Sequence, residues 1–455
     1  MARMVTTQIE SFFGPVAHPA QATSTLRLYN ALLINPATYP QQHSALQTPR
    51  GEVWISGENI TYAGPAVADG QRPVFDAEYD LGGDLLTCGF KNAHAHSPMT
   101  FLRSRSDGLP LDRWLNEVCF PAEARLEGED VYALTKVALL EYLSSGVTSV
   151  FDMYFSPRSM AQASVEMGMR SVYCGSISDF MSSVEEQQER YRFFANYHEL
   201  VTFRLGFHAQ YTISAPLLRD LVALAASLDE PLHTHLSETE AETLGCIEQT
   251  GMTPAAYLDS LGVWERRGAA YHGVWLSHDD MRLLSERGVS VVSCPASNAK
   301  LASGVARVTD MRAAGLNVAL GTDGPASNNA LDFFREMYLY TVLQKLRTRD
   351  PGAVGPDGVL YAATTAGAHV CGLSQCQALA AGQAADLLVI DLDQPNMQPH
   401  ADTITNLVYS ASKSNVRMTM VAGRILYEHG RFHVGAELQD IYAAANAATK
   451  RLFPA

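Results

Sequence analysis

The segment "KNAHAHSPM" at residues 91–99 places His94 and His96 two residues apart, just behind the run "DLLTCGF". On a strand, residues i and i+2 share a face, so the pair can turn two imidazoles onto one ion. Two hydrogen-bonded histidines near a strand end would be spelled the same way. Groups of matching chemistry follow other strand-like runs: His233, His235 and Glu238 in "EPLHTHLSETE", His272 in "AAYHGVWLS" and Asp323 in "LNVALGTDGPASNN". Imidazoles joined by a carboxylate suit Zn2+ or Fe2+, whereas an all-oxygen Mg2+ or Ca2+ site is not supported. Each residue also has a plainer use. Asp323 can cap the turn "GTDG", His272 can be a core histidine, and Glu238 can open a helix favoured by its dipole. His233 shares a face with His235, and it is expected to be a supporting residue.

Elements able to bring such distant residues together are visible in the pattern. From about residue 84, runs such as "GVTSVFDM", "VTFRLGFHA", "GVSVVSCP" and "LNVALGTD" alternate with "DVYALTKVALLEYLSS", "APLLRDLVALAASL" and "LDFFREMYLYTVLQKL". Repeated strand-then-helix over about 290 residues predicts an α/β fold with parallel strands, of a size for a (β/α)8 TIM-type barrel, whose strand ends converge on one site. A doubly wound open sheet is the alternative, but no G-x-G-x-x-G opens a helix. Short strand runs with turns stand before the barrel ("TLRLYNALLINP", "EVWISGENITYAG") and after it ("GQAADLLVIDLD", "VRMTMVAGRILYEHGRF"). Each is too small to be stable alone, which predicts one small β-sandwich from both chain ends. The expected division is 1–84 for its N-terminal part, 85–374 for the barrel, and 375–455 for its C-terminal part with a terminal amphipathic helix.

The net charge of -15 opposes binding to polyanions, so nucleic acid is not an expected partner. Seven scattered cysteines without a C-x-x-C pair predict reduced, mostly buried thiols. No apolar run spans a bilayer, and the opening "MARMVTTQIESFFGP" lacks a signal-peptide core, so no membrane association and a cytoplasmic address are expected.

With "NAHAHSPMTFLRS", "HLSETEAE", "SCPASNAKLASGVARV" and "GTDGPASNN" taken together, the chain resembles the amidohydrolase superfamily. Within it, the 5-methylthioadenosine/S-adenosylhomocysteine deaminase family is the match, from about residue 50 nearly to the C-terminus. The resemblance implies the same barrel and sandwich. It makes His94, His96, His235 and Asp323 the ligands of a divalent ion, Zn2+ first, with Fe2+ or Mn2+ tolerated. "GFHAQY" lacks the lysine that binuclear relatives carbamylate, so one ion is expected. The implied reaction is hydrolytic deamination at C6 of an adenine nucleoside, giving its inosine analogue and ammonia. A divalent ion lowers the pKa of water from about 15.7 to about 7. Asp323 and His272 would orient the water and take its proton, while Glu238 protonates the ring nitrogen and the leaving group. Trp114 would pack on the nucleoside, Glu123 would hold the ribose hydroxyls bidentately, and His208 would lie near the ribose and 5' substituent.

One region departs from the family. In "SVYCGSISDFMSSVEEQQERY" Cys174 stands at the apparent place of an arginine that relatives use for the S-adenosylhomocysteine carboxylate, and a second arginine has no equivalent. Loss of a bidentate cation favours 5'-methylthioadenosine, adenosine or 5'-deoxyadenosine over S-adenosylhomocysteine. Gln210 also stands where relatives often carry proline. Other readings remain. Trp114 can be a helix-core anchor, and Glu123 with Arg125 a surface pair. The substrate can be another heterocycle (guanine, a pterin, cytosine or an s-triazine), for which Glu123 has no ribose to hold, or the barrel can be non-catalytic. The H-x-E and P-C-x-x-C signature of cytidine-deaminase-like enzymes is absent. The expected partners are a small nucleoside or heterocycle, water, and further copies of the chain as a homo-oligomer.

Overall fold

The computed structural model describes residues 24–39, 46–105 and 108–453. The opening "MARMVTTQIESFFGP" and the outermost parts of the 1–84 and 375–455 divisions lie outside the described residues. Strands β1 (Thr25–Ile34), β2 (Arg50–Ser56), β3 (Asn59–Gly64), β4 (Ala77–Asp80) and β5 (Leu85–Cys88) come first. Then β6 (Phe90–Ala95), β7 (Val147–Met153), β8 (Arg170–Cys174), β9 (Val201–Ala209), β10 (Leu232–Leu236), β11 (Gly268–His272), β12 (Ser290–Ser293) and β13 (Val318–Leu320) pair in chain order, all parallel, with helices between them. The outer strands of this series meet at their C-terminal ends, where the Asp323 amide donates to the His94 carbonyl at 3.0 Å. The result is a nearly closed eight-stranded barrel, and its seam joins two of the candidate residues.

The helix Gly128–Ser144 shows how the local sequence sets these elements. The Glu127 amide donates to the Asp130 carboxylate at 2.7 Å, an N-terminal cap. Val131, Leu134, Ala138 and Tyr142 then recur at helical spacing and are all buried. Gly146 turns the chain into β7 with φ of 82°, and a Cβ there would lie 2.8 Å from Leu388.

Strands β14 (Leu387–Ile390), β15 (Val416–Val421), β16 (Arg424–Glu428) and β17 (Arg431–Phe432) do not stand apart from the first five. β14 pairs antiparallel with β5, joining both chain ends in one nine-stranded sheet. One boundary differs in detail. Leu85–Cys88, assigned above to the barrel, pairs in this sheet, because Gly89 breaks the run before β6. The terminal helix Leu438–Leu452 packs on the barrel helix Gly128–Ser144, burying Ile441, Ala445, Ala448 and Leu452. Where barrel and sheet meet, the Asp386 carboxylate accepts from Arg170 Nε and Nη2 at 2.8 and 3.1 Å and from the Ala422 amide at 2.8 Å. Lys91 Nζ lies 3.8 Å from the same carboxylate. All seven cysteines are buried and unpaired. Among the described residues, no helix is long and apolar enough to cross a membrane.

Candidate active site

β6, β10, β11 and β13 deliver their histidines and aspartate to the same end of the barrel. His94, His235, His272 and Asp323 each present one ligand atom, and these atoms lie within 4.8 Å of one another. His96 joins them: its Nε2 is 3.2 Å from Asp323 Oδ1 and 3.3 Å from His235 Nε2. His94 Nε2 lies 3.5 Å from the same aspartate oxygen. His272 and Asp323 both adopt left-handed backbone, with φ of 69° and 59°. Such strain in side chains of this type is found where structure around them enforces it, commonly at functional sites.

Three of the rings are committed by their outer nitrogens. His96 Nδ1 donates to the Met153 carbonyl at 2.6 Å, His235 Nδ1 to the His208 carbonyl at 2.7 Å, and His272 Nδ1 to Asn298 Oδ1 at 2.8 Å. In the neutral ring each Nε2 lone pair then faces inward, the tautomer that metal-ligating histidines adopt. Buried His94 has no hydrogen-bond partner on either ring nitrogen and stacks on Tyr271 with centroids 3.8 Å apart. Asp323 Oδ2 accepts from Ser297 Oγ at 2.5 Å and from Ser327 Oγ at 2.7 Å. Burial opposes charge on this carboxyl, but the imidazoles of His94 and His96 outweigh it and hold it well below the usual range. An anionic carboxylate among inward lone pairs and an orphaned buried imidazole is a donor set that fits a divalent cation.

Glu238 approaches from the turn after β10, its Oε2 3.8 Å from His272 Nε2. Burial pushes its carboxyl up, partly offset by His272, the direction that favours a group able to hold and hand on a proton. Glu242 holds this turn, accepting from the amides of Ser237 and Glu238 at 2.8 and 2.7 Å. His233, one step deeper in the barrel, packs on Phe151 with centroids 4.8 Å apart and is away from the cluster.

A chamber of about 80 Å³ lies over the cluster, lined by His96, Trp114, Glu123, His235, Glu238 and Asp323 among others. It shares Leu115, Phe155, Ser176 and His208 with an outer cavity of about 1010 Å³. Glu123 and His208 line both and lie at the junction between them, while Trp114 lines the inner chamber alone. Glu123 is buried and accepts from the Tyr154 hydroxyl at 2.8 Å, so it is no surface partner of Arg125. Burial pushes its carboxyl up to about 7, against the pull of that hydroxyl. The segment before it contains a π-helical turn, Leu115–Cys119, a deformation frequent at functional sites. Cys174 lies fully buried in the barrel interior and does not face the cavity, which this region lines with Ser176, Ser178, Phe180 and Met181. Among the described residues lining the cavity none is lysine or arginine.

Sequence reasoning missed Met153, Tyr154, Tyr271, Asn298, Ser297, Ser327 and Glu242. Backbone carbonyls have no spelling, but "CPASN" and "GTDGPASNN" carried the serines and asparagine in plain view.

Residues 85–426 match the amidohydrolase family. The chain belongs to that family. This amidohydrolase is 38% identical over 409 residues to the 5-methylthioadenosine/S-adenosylhomocysteine deaminase of Moorella thermoacetica, covering 89% of this chain and 95% of that protein. It is also 38% identical over 408 residues to the 5'-deoxyadenosine deaminase of Methanothermobacter thermautotrophicus, covering 88% and 95% of the two chains. Among solved structures, an adenosine deaminase from Xanthomonas campestris with bound zinc superimposes with a TM-score of 0.88, at 30% identity, over 94% of this chain and 98% of that one.

Proposed function

We propose that this amidohydrolase is a metal-dependent hydrolytic deaminase of adenine nucleosides, with 5'-methylthioadenosine, adenosine or 5'-deoxyadenosine preferred to S-adenosylhomocysteine. The convergence of His94, His96, His235 and Asp323 carries this reading, and relatives named for these reactions support it. These four residues would hold one divalent ion, zinc by preference, which supplies Lewis acidity toward the attacking water. His272 Nε2, left as an acceptor by the bond to Asn298, orients that water, and the Asp323 carboxylate takes its proton. Glu238 delivers a proton to the ring nitrogen as C6 becomes tetrahedral, then carries the proton that Asp323 took from water to the departing ammonia, and is restored by the C6 hydroxyl proton as the carbonyl forms. Trp114 supplies an apolar wall, Glu123 accepts from the ribose hydroxyls, and His208 borders the ribose and 5' substituent. A cavity lining without lysine or arginine favours an uncharged 5' group over an amino-acid carboxylate. In the same reading, the joined chain ends curl into a small sandwich beside the barrel, supported by an apolar cluster that includes Leu28, Val53, Leu387 and Met418.

The test is ammonia release by zinc-loaded protein on 5'-methylthioadenosine, S-adenosylhomocysteine, adenosine, 5'-deoxyadenosine, guanine and cytosine. Turnover confined to the nucleosides, weakest with S-adenosylhomocysteine, is expected. Turnover of free bases alone would instead assign another heterocycle and remove the roles of Trp114 and Glu123.

A further inference from the structure

We propose that Glu336 is a positioning residue for this site, one buried carboxylate bracing the two loops that hold Asp323 and His272; the proposal rests on the metal-dependent reading above. Glu336 lies in the first turn of the helix Phe333–Thr348, has 0% exposure, and touches neither the chamber nor the outer cavity. Its Oε2 accepts from the Ala296 amide at 3.1 Å. Its Oε1 accepts from Asn328 Nδ2 at 2.7 Å. The Asn328 amide group also donates to the Thr322 carbonyl at 2.7 Å, so this end of Asn328 is the donor end.

The two residues that Glu336 grips are sequence neighbours of the side chains that hold the site. Ala296 precedes Ser297, which donates to Asp323 Oδ2 at 2.5 Å, and Asn298, which receives His272 Nδ1 at 2.8 Å. Asn328 follows Ser327, the second donor to Asp323 Oδ2, at 2.7 Å. Both hydroxyls on the outer oxygen of Asp323 are thus set by backbone that one carboxylate fixes. The other oxygen, Oδ1, is the one facing His94 and His96. Burial pushes this carboxyl up to about 8, against the pull of the Ala296 amide and Asn328. Both contacts are to donors, so the geometry requires the ionised group, and no hydroxyl or amide of similar size offers two acceptor oxygens. Glutamine would keep the volume and set an N–H group against one of the two donors. Through the loops, Glu336 fixes the angle at which Asp323 presents Oδ1 and the tautomer in which His272 presents Nε2.

The experiment compares the zinc-loaded parent with Glu336→Gln in steady-state deamination of 5'-methylthioadenosine and in zinc release to a chromogenic chelator, which needs no substrate. A fall in kcat of about 10- to 100-fold is expected, with KM within about twofold and zinc release accelerated by at least about tenfold. In a Ser297→Ala, Asn298→Ala, Ser327→Ala background the same change should cost less than about threefold, because the links to both Asp323 and His272 through which it acts are already cut. Unchanged kcat and zinc release overturn the proposal, as does a loss of equal size in both backgrounds, which marks a merely structural residue. If Glu336→Gln does not fold, Asn328→Ser cuts the other end of the brace and is judged by the same measurements. A parent that holds zinc but turns over no nucleoside refutes the deaminase reading, and zinc release then decides on the brace alone.

Discussion

The Nε2 atoms of His96 and His235 face each other at 3.3 Å, and each ring has already given its other proton to a backbone carbonyl. Without a metal ion a proton must separate these nitrogens. Burial opposes charge on His96, but Asp323 outweighs it and pushes that imidazole up to about 9, and a bound divalent ion would take the place of that proton. Chelation should therefore lower the melting temperature, and zinc should restore it. Free zinc at 100 times its Kd adds about 2.7 kcal/mol of stability. His235→Ala should bring zinc below one ion per chain by elemental analysis. Identical melting curves with and without chelator would contradict this arrangement.

Glu238 borders the chamber without belonging to the inner cluster of imidazoles. Glu238→Gln keeps the shape and removes the proton. A loss of about 10²- to 10⁴-fold in kcat is expected with full zinc content. Loss of zinc in this variant would instead make Glu238 a ligand.

Asn298 holds His272 through a single acceptor. Asn298→Ala should cost about 10- to 100-fold in kcat, whereas Asn298→Asp, which keeps an acceptor oxygen, should cost less. Equal losses would show that the asparagine serves its own loop and not the imidazole.

Burial places the Glu123 carboxyl at about 7, so it is mostly ionised at pH 8 and mostly protonated at pH 6. Only the ionised form offers acceptors for both ribose hydroxyls. KM for a nucleoside should therefore rise by up to about tenfold from pH 8 to pH 6. In Glu123→Gln that part of the pH dependence should vanish, at the cost of a higher KM throughout. A pH response that survives the substitution would assign it to another group.

Asp386 ties Arg170 and Lys91 together at the opposite end of the barrel from the site. Asp386→Asn strands two buried cations and should cost about 3–5 kcal/mol in urea unfolding. A smaller shift would mean that water or a neighbouring carboxylate takes over.

Much of this site was legible because strands spell with a period of two and barrels gather their chemistry at strand ends. That logic singles out His94, His96, His272 and Asp323 without any structure. The family resemblance set Cys174 at the place of an arginine, whereas the residue is buried and does not line the cavity, because a position inside a barrel layer and one in the following loop look alike in sequence. The bond between Glu123 and Tyr154 spans 31 residues and two elements, so no local pattern announces it. Leu85–Cys88 reads as barrel because both kinds of strand are apolar, and only pairing decides between them.

The pairing of Cys88 with Leu387 has a consequence during synthesis. Strand β5 leaves the ribosome about 300 residues before its partner, a wait on the order of 15–60 s at roughly 5–20 residues per second. Through that interval β5 carries an open edge able to recruit any passing strand. Nascent chains interrupted within the barrel should therefore be stickier than those released after residue 390, and the last-made strands act as the chain's own cover for its first-made ones.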